Sequence, residues 1–463
     1  MILLTSKAAP GLALALAITA CLPSPATATD LASAWNATRI HAPALEAARA
    51  AKFAGATQVD QAEALGRPSV FAQATVGLMG AGSSTQGAQF AAPGFGQSTG
   101  VSFNTSIRHD VGSQWLIGVR QSIVDRERDA QRAQLRLGAE GGELQSFATQ
   151  QQLMLDLAHR YFELAMADRQ LALLERQAAA VDRAWTEARD RFQLGDAPVT
   201  DTHEAAARAR ALQAQSLAAR NRLADARSAL AELSGLREQS LRALVPGTEV
   251  LPARLDSLEV WLERSEASNP VIRLARLSAT LAAQDVARQG SASGPKVEWV
   301  AQASREQLNG SGAYGEAGQS QNRQLLGITV AVPLSTGGLI EARLAQAQLL
   351  LKKAQAEVDV ARQQTVRQIR SVWLSLQAAP AQLEALDAAV SASRSRLDAT
   401  RLGRQVGDRT TQDLLNAEND ASAAELALLQ ARVAVLIGRL QLEALAGQLD
   451  EDALKRIDRS LQG

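Results

Sequence analysis

Catalysis needs reactive side chains that meet, and in this chain of 463 residues they stand apart. The four histidines, His41, His109, His159 and His203, fall in four separate segments, none with a second ligand at metal spacing. His203-Glu204 lacks the second histidine that a zinc helix requires, and no glycine-rich phosphate loop runs into a lysine. Cys21 is the only cysteine, so a disulfide framework is excluded. Lys+Arg and Asp+Glu balance at 48 each, which leaves no basic footprint for nucleic acid. Carboxylates and arginines spaced along helical patterns read as exposed ion pairs worth about 0–1 kcal/mol each. The expectation is a protein without metal, cofactor or catalytic centre.

Polar chemistry is instead concentrated at two interruptions of long helical patterns. One runs from Arg404 to Ala417 around Gly407 and carries Arg409, Asp413 and Asn416; the other runs from Arg191 to Thr202 around Gly195 and carries Thr200 and Asp201. The two glycines are 212 positions apart. A glycine just past a periodic run takes the left-handed conformation that caps the last carbonyls, and a Thr or Asp soon after caps the next helix. Pro198 cannot continue the incoming helix. Each interruption therefore reads as the tip of a helical hairpin. Asp413 and Asn416, three apart, share a helix face; taken alone, Asp413 also suits a helix-start carboxylate favoured by the dipole.

The elements holding these tips are long. From Asp125 to Gln193 no proline occurs, and Leu and Ala recur at helical spacing among charged residues, predicting a helix on the order of 100 Å. Gly138, Gly141 and Gly142 weaken it locally, each by up to about 1 kcal/mol. A matching helix, Leu339 to Arg404, contains Pro380, which predicts a kink or short break near Ala378 to Ala381, because an internal proline costs roughly 3 kcal/mol. The return helices are Thr200 to Ser234, stopped by Gly235, and Thr411 to Ala446, stopped by Gly447. Two shorter helices, Asp30 to Ile40 and Pro43 to Leu65, open the chain, and Gln448 to Gly463 reads as a polar tail.

Four stretches alternate as strands: Ser69 to Leu78, Trp115 to Val124, Lys296 to about Gln307, and Leu325 to Leu334. Met79 to Gly112 and about Leu308 to Asn322 read as exposed loops. Early landmarks repeat at 227 positions (Pro43 with Pro270, Pro68 with Pro295) and late ones at 212 (Tyr161 with Trp373), so the difference falls between the two strands of each half. The chain divides into a leader over 1–28, a first repeat over 29–255, a second over 256–447, and the tail over 448–463.

The leader carries Lys7, a short apolar run from Gly11 to Ile18, and Ala26-Thr27-Ala28, the layout of a secretory signal. Cleavage after Ala28 competes with lipidation at Cys21, which ends Ile18-Thr19-Ala20-Cys21. No later run reads as a spanning helix of roughly twenty residues, so any crossing must be by strands. Lipid-facing strands cannot leave edges unpaired, and four are too few for a barrel, which predicts completion by other copies; three copies give twelve strands. Arg120 then faces the lumen, and Trp115 and Trp299 either anchor at the lipid interface or pack in a core. A periplasmic coiled-coil structural or adaptor protein is the alternative.

Val406-Gly407-Asp408-Arg409-Thr410-Thr411-Gln412-Asp413-Leu414-Leu415-Asn416-Ala417 resembles the tip sequence of the TolC-type outer-membrane factors, the exit ducts of efflux pumps and type I secretion systems. Thr200-Asp201, Gln121-Ser122-Ile123-Val124-Asp125, Val332-Pro333-Leu334 and Gly447-Gln448-Leu449-Asp450 are similar to further family segments in the same order. The resemblance implies an α+β membrane protein: long helical hairpins forming a periplasmic tunnel, and a transmembrane β-barrel shared by a homotrimer, four strands per chain. It also implies a periplasmic adaptor, an inner-membrane transporter, and a gate at the tips. There Arg409 is similar to an arginine that ties the second hairpin to the first at Thr200 and Asp201. Asp413 and Asn416 match two acidic pore positions, of which this chain keeps one. Arg404 stands where the family often has an aromatic.

Overall fold

A computed structural model describes residues 29–461, apart from 95, 197, 239–240, 242, 244, 246–254 and 313–314. The leader, with Cys21 and Ala28, lies outside the described residues. Helices α1 (Leu31–His41) and α2 (Pro43–Ala64) lead into strands β1 (Ser69–Ala92) and β2 (Gly96–Val124), then α3 (Arg126–Gln193) and α4 (Val199–Ser234). The same order follows in α5 (Leu258–Ser268), α6 (Pro270–Ser291), β3 (Lys296–Gly312), β4 (Gly315–Ala331), α7 (Leu339–Gln405) and α8 (Thr411–Leu445), and α9 (Glu451–Leu461) closes the chain.

Local signals set the boundaries. Asp30 accepts from the Ser33 N–H at 2.7 Å and Asp125 from the Arg128 N–H at 3.0 Å, each capping a helix start. Gly195, Gly235, Gly407 and Gly447 all sit at φ between 68° and 84°, where the reversals were expected. The glycines inside α3 have a packing reason: a Cβ on Gly142 would lie 3.2 Å from the Ala51 carbonyl oxygen and 3.6 Å from the Gly55 Cα. Helix α2 thus lies backbone to backbone on α3, an approach that offsets the propensity cost.

The main core lies where both hairpins meet the termini. Trp35 of α1, Tyr161 and Phe162 of α3, Leu230 of α4, Leu436 and Leu440 of α8, and Leu454 and Ile457 of α9 share it. Tyr161 and Phe162 meet edge to face at 5.5 Å, and the Tyr161 hydroxyl donates to the Thr29 carbonyl at 2.9 Å.

Four expectations are corrected. The two stretches read as loops are strands: β1 pairs with β2 from Ser69↔Arg120 to Ala92↔Gly96, and β3 with β4 from Lys296↔Ala331 to Gly312↔Gly315. Outside lipid both faces meet water, so no apolar alternation marked them. The length difference between halves is therefore extra ladder. Helix α7 runs without a break through Pro380, whose ring lies on an exposed face. The polar tail is largely a helix that buries Ala453, Leu454, Ile457 and Leu461. Finally, α8 holds a window of mean hydropathy 1.5, apolar and long enough for a span by composition. Its Leu428, Leu429, Val433 and Leu436 lie in the main core, so the apolar content serves helix packing.

Candidate functional site

The sheet is a meander, β1-β2-β3-β4, antiparallel throughout. Register sorts its side chains into two faces, since directly paired residues point the same way and neighbours alternate. Val70, Val119, Ala301 and Leu326 form one row, flanked by Ala72 with Ile117 and Ala303, and by Trp299 with Ile328. The opposite face carries Gln73, Gln114, Arg120, Glu298, Gln302, Ser304, Glu306 and Arg323. The apolar face is uncovered: Val70 is 70% and Leu326 72% exposed.

Trp115 and Trp299 both lie on that apolar face, 48% and 38% exposed, so neither is a core residue. Trp299 pairs with Gln121 and Trp115 with Arg305, which puts six residues of β2, roughly 20 Å of strand, between the two levels. Beside Trp115 the face turns polar on β3 and β4 with Arg305 and Asn322, while on β1 the apolar row runs on to Val76 and Leu78 and on β4 past Trp299 to Val330, so the tryptophans lie within the apolar band, one toward each side. Arg120 lies on the other face, its guanidinium 4.8 Å from the Phe71 ring centre. A Cβ on Gly118 would come within 2.6 Å of Phe71, so the glycine seats the ring that carries Arg120. Leu326→Arg places a charge mid-band and is expected to cost about 2–4 kcal/mol. Loss of heat-resistant assembly on a mild gel, with Gln302→Arg on the opposite face tolerated, would check this.

At the far end, the two tips pack side by side: Leu415 of α8 joins Val181 and Ala184 of α3 and Leu212 of α4. Asp413 forms a capping box with Thr410, accepting from its N–H at 3.0 Å and its hydroxyl at 2.9 Å, while the Asp413 N–H donates to the Thr410 hydroxyl at 3.1 Å. The Thr410 N–H, then its hydroxyl, hold the Asp413 carboxyl below its ordinary value, so it is ionised at neutral pH. Asn416 is exposed one turn on. Thr200 and Asp201 sit in the first turn of α4, and the neighbouring Thr202 hydroxyl donates to the Ala188 carbonyl at 3.4 Å.

Arg409 packs its stem on Gly403, where a Cβ would lie 2.8 Å from the Arg409 Cγ. The described ion pairs do not join Arg409 to Asp201. Arg404 instead pairs with Glu187 of the first hairpin at 2.5 Å. Further up, Glu425 of α8 takes Arg394 of α7 at 2.8 Å, and Arg176 and Arg169 of α3 at 3.2 and 3.8 Å. Sequence reasoning missed Glu187 and Glu425, because their partners in the other hairpin are more than 200 positions away and no local spacing reports such a pair. Among the described residues no three His, Cys, Asp or Glu gather to hold a metal.

The comparisons agree with this geometry. Residues 261–448 match the family model described as outer membrane efflux protein. The chain is 28% identical over 315 residues to the outer membrane protein TolC of Vibrio cholerae, covering 68% of this chain and 72% of that one. It is 26% identical over 309 residues to the alkaline protease secretion protein AprF of Pseudomonas aeruginosa, covering 66% of this chain and 64% of that one. Its fold matches the crystal structure of the Campylobacter jejuni CmeC outer membrane channel with a TM-score of 0.72 at 15% identity, over 93% of this chain and 89% of that one. The chain is thus similar to the outer membrane efflux proteins and to TolC-type channels of efflux and type I secretion, and with them its sheet lies in the outer membrane of a Gram-negative bacterium and its helices in the periplasm.

Proposed function

We propose that three copies of this chain close into one passive exit duct, fed by an inner-membrane transporter through a periplasmic adaptor. One observation carries the reading: β1 and β4 each leave an edge unpaired in a sheet whose apolar face is uncovered. An open edge in hydrocarbon costs several kcal/mol per unpaired group, and joining β1 of one copy to β4 of the next removes every edge with twelve strands. The duplicated unit, 29–255 and 256–447, supplies two strands and one long hairpin per half. Transport needs no cofactor, metal or chemistry on the cargo, which is a small molecule or a protein. Light scattering of detergent-purified protein should give a trimer; a monomer with intact strand signal by circular dichroism would overturn the reading.

The gate is assigned to the tips. Three Asp413 carboxylates around a narrow pore favour cations and bind multivalent ones, while Asn416 adds no second acidic ring. The Arg404–Glu187 pair, and Arg409 reaching Thr200 or Asp201 across the assembled tips, hold the hairpins together. A charge-assisted contact of this kind is typically worth about 1.5–3 kcal/mol. In planar bilayers, Arg404→Ala and Arg409→Ser should raise single-channel conductance. Asp413→Asn, which keeps an acceptor for the Thr410 N–H, should weaken cation preference and multivalent block. Parent-like recordings from all three variants would place the gate elsewhere.

A further inference from the structure

Helices α4, α3, α8 and α7 pack side by side in that order, and a groove of about 560 Å³ runs across the first three beside the main core. Its floor is apolar, with Met166 of α3 and Ile437 of α8 half-buried in it. Its rim is charged, with His159 and Glu163 from α3 and Arg222 and Asp225 from α4, all exposed. The size suits a small ligand, and so does an apolar lining with a few polar groups at its margin.

The rim charges are not spent on holding the helices together. Nearby on the same two helices Arg227 takes Asp168 at 3.6 Å and Arg220 takes Glu175 at 2.9 Å. Among the described residues Glu163, Asp225 and Arg222 enter no ion pair. Two carboxylates against one guanidinium leave negative charge in excess over an apolar floor. Hairpin packing does not require these groups, because the duplicated unit does without them: 212 positions on, Glu163, Arg222 and Asp225 give way to Ser375, Ala434 and Ile437.

The groove also lies on a definite side of the helical layer. Tyr161 donates to the Thr29 carbonyl and Gln151 to the Leu449 carbonyl, so the start of the chain and the approach to α9 cover that flank of α3. At 3.6 residues per turn Glu163, Met166 and Gln170 point roughly the opposite way from Tyr161. Twelve helices spaced about 10 Å apart close on a radius of roughly 19 Å and leave about 14 Å free inside. A further layer of helices about 10 Å thick would nearly fill that space, so α1 and α9 belong outside the ring and the groove opens on the lumen.

We propose that this groove is a binding station in the tunnel wall for amphipathic organic cations, one per copy, with the apolar body on Met166 and Ile437 and the charge between Glu163 and Asp225. The inference deepens the duct reading above and rests on it.

Two ions of one shape and opposite charge test it. Titrated by calorimetry into the detergent-purified trimer, with a micelle blank subtracted, tetraphenylphosphonium should bind saturably and tetraphenylborate should not. Glu163→Gln combined with Asp225→Asn should weaken phosphonium binding at least about tenfold. Ser375→Ala, at the matching place in the second hairpin, should leave it unchanged. The lumen position is read with thiols, since the described chain contains no cysteine. Gln170→Cys should take a small maleimide but react with a polymer-linked one much more slowly than Asp452→Cys on the exposed side of α9. No saturable phosphonium binding, equal binding of the borate, or parent-like affinity in the double variant would overturn the inference. Equal polymer labelling at the two thiols would put the groove outside the duct and overturn it too. A monomer by light scattering would instead remove the trimeric reading, and the lumen position with it.

Discussion

Replacing Glu425 with alanine is expected to lower stability by about 3 kcal/mol, read as a large fall in the thermal midpoint of the helical signal, because it leaves three arginines facing one another. The side chain is only 16% exposed and joins Arg394 of its own hairpin to Arg176 and Arg169 of the other. Burial works against the charge, but the hydrogen bond from Arg394 and then that from Arg176 outweigh it and hold the carboxyl below its ordinary value of 4.5. The folded state therefore binds this proton more weakly than the unfolded chain does. The contribution is fully present above the ordinary glutamate range and fades as pH falls through the lowered folded value. Parent and Glu425→Ala should accordingly differ most at neutral pH and converge in acid. A constant difference across that range would mean the residue acts by packing alone. Glu425→Gln, which keeps the shape and one acceptor, should recover part of the loss at neutral pH.

Asp458→Ala is expected to cost about 2–4 kcal/mol, because it strips two buried backbone donors of their acceptor. The carboxylate is on α9, 6% exposed, and accepts from the Leu31 N–H at 2.7 Å and the Ala32 N–H at 2.8 Å. It thereby caps the first helix from more than 420 positions away. Glu451 adds to the clasp, accepting from Trp35 Nε1 at 3.3 Å and pairing with Arg39 at 2.8 Å. Burial pushes the Asp458 carboxyl up despite those two N–H donors. Here the sign is opposite to that of Glu425: the charged form is penalised in the fold, so the penalty is present above the raised folded value and is relieved as pH falls through it. Urea unfolding at neutral pH should show the loss for Asp458→Ala, and truncation before Glu451 should show a larger one. An unchanged midpoint after truncation would reduce α9 to an ornament of the first repeat.

The parts of this protein decided by neighbours in sequence were legible without coordinates. Helix periodicity, the reversals at Gly195 and Gly407, the stops at Gly235 and Gly447, and the Asp30 and Asp125 starts all follow from backbone hydrogen bonding and φ preferences within a few residues. The membrane-spanning parts of the strands were readable for a similar reason. Lipid on one side and lumen on the other force strict alternation, as in Val70, Ala72, Ala74, Val76 and Leu78. Beyond the bilayer that constraint ends, and so did the signal, which is why the paired stretch from Ala81 to Ile107 looked like a loop.

Tertiary structure alone decided what distant elements do to one another. Gly138 and Gly142 of α3 look like defects until α2 lies on them, and Gly141 until Leu277 of α6 does. Arg404 looks like a lost aromatic until Glu187 comes within reach. The last helix carries a clear apolar stripe, Ala453, Leu454, Ile457 and Leu461 at helical spacing, that the reading of a polar tail passed over; what the fold adds is its partner, the start of α1, where Asp458 meets the Leu31 and Ala32 N–H groups. Likewise, the Asp413 capping box follows from Thr410 three residues earlier, whereas a ring of three such carboxylates depends on copies of the chain that no single sequence contains. Local torsions and solvent-driven alternation are encoded residue by residue. Ion pairs and caps between segments hundreds of positions apart exist only once the chain has closed the distance.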